Sequence, residues 1–134
     1  MRKLLAPFAL VLAFITAGCA GTDLIAEAET TEQRYFAVLS VFDEYDQAAL
    51  NIAQDPDTPE SVVKALKRTR GVAKAALDLA STAFETYIAA DAALEANPDP
   101  DALDKTLAAS QAFSERVQVA IDQINALRDA VNAI

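Results

Sequence analysis

A chain of 134 residues is enough for one domain and not two. Hydrophobic residues make up 53% of it, which supplies a core and argues against disorder. The net charge of −9, from 11 basic and 20 acidic residues, repels nucleic-acid phosphate and sets the chain against a DNA or RNA partner.

The chain starts with Met1-Arg2-Lys3, a short basic segment. Leu4 to Ile15 is an apolar run of 12 residues, and Thr16-Ala17-Gly18 is a run of small ones. That is the layout of a secretory signal. A bilayer core needs about 20 apolar residues, so the run is too short to span one. A buried N-terminal helix is the other reading, and Pro7 would interrupt it.

Ile15-Thr16-Ala17-Gly18-Cys19 resembles the lipobox of bacterial lipoproteins, in which small residues precede a cysteine. Thr16 departs from the usual Leu three places before that cysteine. The resemblance covers residues 1–19 alone. It implies a diacylglyceryl group on the Cys19 sulfur, cleavage between Gly18 and Cys19, and acylation of the new amino terminus. Two or three acyl chains would hold the protein stably where one gives only marginal binding. Ordinary signal-peptidase cleavage after Ala17 or Ala20 is the competing expectation. Ala20 in place of Asp resembles the sorting pattern for the outer membrane, on the periplasmic side. The expected division is a signal peptide over 1–18 and a lipid-anchored helical domain over 19–134. Losing Arg2 and Lys3 would leave 9 basic against 20 acidic residues, a net charge of −11.

From residue 23 onward the periodicity is helical. Thr22 or Asp23 caps a first helix over about 23–54, with Leu24, Ala28, Thr31, Tyr35, Val38, Phe42, Tyr45, Ala49 and Ile52 on its apolar stripe. Asp55-Pro56-Asp57-Thr58-Pro59 is a turn signal. Thr58 is the expected N-cap of a second helix over about 59–96, with Pro59 at its first position. Its stripe holds Val63, Leu66, Arg70, Ala73, Leu77, Ala80, Phe84, Tyr87, Asp91 and Leu94. Gly71 inside it, near Ala73, Ala75, Ala76 and Ala80, would let a neighbouring helix approach closely. After Asn97-Pro98, Asp99 caps a third helix over about 100–133. Its stripe holds Leu103, Ser110, Phe113, Val117, Ala120, Ile124, Leu127, Val131 and Ile134. No alternating β-branched run points to a strand.

Two short connections make neighbouring helices antiparallel, each roughly 50 Å long at 1.5 Å per residue. The expected fold is all-α, an up-down-up three-helix bundle with coiled-coil-like packing. A longer open hairpin that completes its core by oligomerising is the runner-up. Close packing of the many alanines leaves no lipid-carrying cavity in that picture.

The chemistry is sparse. With no His and one Cys, the commonest metal ligand, acid–base group and thiol nucleophile are missing. With 3 glycines and no GxxxxGK[ST] motif, a phosphate cradle is excluded. No catalytic residue, metal or cofactor is expected. Glu27/Glu29/Glu32 and Asp99/Asp101/Asp104 read as solvated faces and helix-start acids, with calcium binding or paired-carboxylate catalysis as the alternative. Tyr35, Tyr45 and Tyr87 read as aromatics at the core edge.

Lys64, Lys67, Arg68, Arg70 and Lys74 fall in the half of the bundle far from the anchor. Asp43, Glu44 and Asp46 lie at the same height, with Asp122 and Asp129 near it. Inter-helix ion pairing is the plain reading. The functional one is a basic patch of Lys64, Lys67, Arg68 and Lys74 that docks an acidic partner or an anionic cell-wall polymer. The anchored end is acidic, with Glu27, Glu29, Glu32, Glu95, Asp99, Asp101 and Asp104 against Arg34 and Lys105. The expected function is a non-catalytic envelope lipoprotein that presents a bundle to another envelope protein, as adaptor, assembly factor or exclusion-type inhibitor. The alternative is a binding module for peptidoglycan or a lipid, which a pocket between the helices would favour.

Overall fold

The computed structural model describes residues 21–134, with side chains from residue 24 onward. The described residues are all-helical and bundle-like, with four helices and no strand: α1 (Gly21–Glu27), α2 (Thr31–Gln54), α3 (Glu60–Ala96) and α4 (Pro100–Asn132).

The single first helix expected over 23–54 is instead two. The expected caps, Thr22 and Asp23, lie inside α1, which already begins at Gly21. The chain leaves the helix after Glu27 and restarts at Thr31 through a capping box at Thr30. The Thr30 hydroxyl accepts from the Gln33 backbone N–H at 3.1 Å. The Gln33 side-chain oxygen accepts from the N–H groups of Thr30 and Glu29, at 3.2 and 2.8 Å. These donors would otherwise be orphaned at a helix start.

The α2–α3 turn also differs at one residue. Helix α3 begins at Glu60, after Pro59, with no side-chain cap. The Thr58 hydroxyl points back and donates to the Ile52 carbonyl at 2.8 Å, satisfying the end of α2 instead of the start of α3. Asp55 closes the turn, accepting from the Asp57 N–H at 2.9 Å. At the next turn Asp99 caps α4 through the Ala102 N–H at 2.8 Å, with Pro100 behind it.

The three longer helices share one core. Tyr35, Val38, Val41 and Ala49 of α2 meet Leu66, Ala73, Ala76, Leu77 and Ala80 of α3 and Phe113, Val117, Ala120, Ile124 and Leu127 of α4. Two contacts fix the register of α2 on α3. The Tyr35 hydroxyl donates to Ser81 Oγ at 2.9 Å, and Arg70 pairs with Asp46. Both place α2 antiparallel to α3, with Thr31 level with Glu85. The α3–α4 hairpin is therefore longer than α2. Its closed end, from Thr86 through the turn, runs on past the start of α2 for about 16 Å.

This overhang explains where the expected stripe of α4 fails. Leu103 is 47% exposed, because no α2 residue reaches its level. Ile134, 61% exposed, lies beyond the last helical turn. Thr106 takes a core place instead, its hydroxyl donating to the carbonyls of Ala90 and Ala102 at 3.1 and 3.0 Å. Gly71 permits no close approach, since a Cβ built there meets nothing within 4 Å.

At the level where α2 starts, Tyr35, Phe36, Phe84, Tyr87 and Phe113 pack ring on ring, with centroids 5.1 to 5.9 Å apart. Tyr35 lies inside the core and not at its edge. Tyr45 and Tyr87 are half-buried against it.

Candidate interaction surface

Gly18 and Cys19, the expected cleavage and lipidation residues, lie outside the described residues. No helix among the described residues is long and apolar enough to cross a membrane. No group of three or more acidic or thiol side chains among them gathers to hold a metal.

The basic residues of α3 meet different fates. Arg70 sits on the flank facing α2 and makes a two-pronged contact with the Asp46 carboxylate, its Nη2 at 3.1 Å from Oδ2. Hydrogen bonding to Asp46, more than the charge itself, raises the Arg70 pKa further above its ordinary value. Lys64 pairs within its own helix with Glu60 at 2.7 Å, and Lys74 with Asp78 at 3.1 Å, all four side chains well exposed. Pairs of this i,i+4 kind contribute only a few tenths of a kcal/mol. Lys67 and Arg68 are exposed and make no ion pair among the described residues. Of the expected inter-helix pairing, only Arg70 with Asp46 forms. Of the four patch residues, Lys64 and Lys74 each have a carboxylate of their own helix beside them, and Lys67 and Arg68 have none within ion-pair distance among the described residues.

Lys105 and Arg116, on α4, are also exposed without an ion pair among the described residues. Sequence reading named Lys105 only as a counter-charge at the acidic end and passed over Arg116, which belongs to no cluster of basic residues. They share a surface with Arg68. Two widely open hollows flank the α3–α4 turn, of about 370 and 330 Å³. The larger is lined by Ala90, Ala93, Asp101 and Lys105 among others, so these lie on one side of the hairpin. Leu79 precedes Ala90 by eleven residues and Val72 by eighteen. These are about three and five whole turns, so both leave α3 on that same side. Arg116 follows Lys105 by eleven and stands on it too.

This is the hairpin face turned away from α2. On it, Val72, Leu79 and Val119 are 46%, 50% and 43% exposed. Alanines fill the rows between them, at positions 75, 83, 108 and 112. The available signal was a second periodicity in α3. Arg68, Val72, Ala75 and Leu79 recur at spacings of four, three and four, out of phase with the core stripe.

No protein-family model matches the chain, and neither a curated protein nor a solved structure shows significant similarity to it.

Proposed function

We propose that the chain is a bacterial lipoprotein, anchored by acyl chains on Cys19 at the periplasmic side of the outer membrane. Its helical domain presents a surface to another envelope protein without catalysing a reaction. The observation that carries the anchor is Ile15-Thr16-Ala17-Gly18-Cys19, placed directly after a basic start and a 12-residue apolar run. A thiol there has no partner for a disulfide within the chain, and lipid gives it a chemistry.

The domain takes the form of an up-down-up bundle of α2, α3 and α4, with coiled-coil-like packing. The shared core and the antiparallel contacts of Tyr35 with Ser81 and Asp46 with Arg70 support this form. The anchored end carries the start of α2 and the α3–α4 turn. That end is acidic, so the domain stands off from anionic head groups. The presenting role rests on the three exposed aliphatic side chains and unpaired cations of the bare hairpin face. Replacing Cys19 with Ser should move the protein from the membrane fraction to the soluble one. Retention on membranes without the thiol would contradict the anchor. Replacing Lys64, Lys67, Arg68 and Lys74 with Gln should abolish capture of an acidic partner in a pull-down, and unchanged capture would remove the patch from the reading.

A further inference from the structure

Among the described residues, Lys67, Arg68, Lys105 and Arg116 are the cations held neither by an ion pair nor, as Arg34 is, by a backbone carbonyl. Three of these four stand on the bare face of the hairpin, beside three of its exposed aliphatic side chains. The face thus combines an apolar strip with three cations outside any ion pair, Asp101 standing on the same side as Lys105, in a chain of net charge −9.

The three cations are regularly spaced. Thr106 bonds to Ala90, which makes Arg116 level with Ala80 and Lys105 level with Asp91. Arg68 lies twelve residues below the level of Arg116, and Lys105 eleven above it. Both steps are about 17 Å. On a facing helix, residues eleven apart stand on one side after about three turns. Arg68 stands on α3 and Lys105 and Arg116 on α4, so a helix laid along the groove between them, with carboxylates at about that interval, would have Arg68 on one flank and the other two cations on the other. Between the carboxylates, its apolar residues would fall on Val72, Leu79 and Val119, and the intervening alanines allow close approach.

From this we infer that the outer α3–α4 face docks an acidic amphipathic helix of a partner protein, its carboxylates about eleven residues apart. The inference rests on the reading of the domain as a presenting surface and names the chemistry of what it presents to. A hydrophilic anionic polymer would leave the aliphatic strip uncovered. An anionic bilayer would meet the overall negative charge of the protein.

The test uses the full chain, held in phosphatidylcholine nanodiscs. The probe is a labelled helical peptide of three Glu residues at eleven-residue spacing, with Leu and Ala between them, followed by fluorescence anisotropy. A twin peptide carries Lys in place of Glu. The acidic peptide should bind. Leu79→Asp, or Arg68→Glu with Arg116→Glu, should weaken binding at least tenfold while the helical circular dichroism stays unchanged. The Lys peptide should bind the charge-reversed variant better than the native chain. Equal binding of both peptides to the native chain would overturn the proposal, and so would charge reversal without effect. Two further results would overturn it by naming another occupant. One is dimerisation in sedimentation that Leu79→Asp abolishes. The other is capture by anionic vesicles that Arg116→Glu abolishes. Failure of the anchor reading is separate, since a Cys19→Ser chain would keep its affinity for the peptide.

Discussion

Both faces of the α3–α4 hairpin carry aliphatic side chains, and these have opposite fates. The face toward α2 places Leu66, Leu77, Phe84, Phe113 and Val117 under a third helix and closes into the core. The face away from α2 carries Val72, Leu79 and Val119, each about half exposed, with alanine between. Large aromatic side chains gather on the covered side alone. Small side chains on the other leave it flat, as a surface for helix packing is. What an aliphatic residue of the hairpin contributes to folding therefore depends on the face it stands on as well as on its hydrophobicity.

Substitution should separate the two faces most sharply. Phe113, 1% exposed and in ring contact with Tyr35, Phe84 and Tyr87, should cost about 3 to 5 kcal/mol as Phe113→Ala in urea unfolding. Leu79→Ala on the bare face should change stability by less than about 0.5 kcal/mol. Comparable losses at both sites would mean that the outer face is buried in solution.

Next in size is the link that sets α2 in register. Arg70→Ala should cost about 1 kcal/mol, and a double-mutant cycle with Asp46→Ala should return most of it as coupling. Zero coupling would leave the register to packing alone. Gly71→Ala should act in the other direction and stabilise by about 1 kcal/mol. The glycine is exposed in mid-helix, with nothing near its missing Cβ. A loss of stability would reveal a neighbour at that position.

The smallest effect is on pH dependence. Burial, then the charges of Glu32 and Asp91, raise the Tyr87 phenol above its ordinary pKa of 10.0. The folded state therefore favours the protonated phenol. Its contribution is fully present below the unfolded pKa and is lost as pH rises through the folded one. Unfolding curves measured up the alkaline range should show this decline, and Tyr87→Phe should flatten it. An unchanged decline would assign it to other groups.

Much of this architecture was legible in the amino-acid pattern, because α3 and α4 announce their limits chemically. Asp99-Pro100 begins one helix, and Asn97-Pro98 ends the other. The break before α2 was harder to see. Thr30 and Gln33 stand at capping-box spacing, but Ala28 and Thr31 carry the apolar stripe across the break without a gap. Thr58 has the residue type and position of a cap for α3, yet it serves α2. The path of the turn decides between the two helices. The bare face was hidden for a different reason. One helix has room for two periodic stripes, and only the position of α2 decides which of them is core. Cys19 lies outside the described residues, and its role rests on the residues around it in the sequence.

The most direct measurement is the mass of the mature amino terminus, taken from protein purified out of membranes. The expected result is a chain that starts at Cys19 and carries a diacylglyceryl group on sulfur, with a further acyl chain on the new amine. A chain that starts at Met1, Gly18 or Gly21, or a Cys19 terminus bearing no lipid, would contradict the anchor and with it the direction assigned to the bundle.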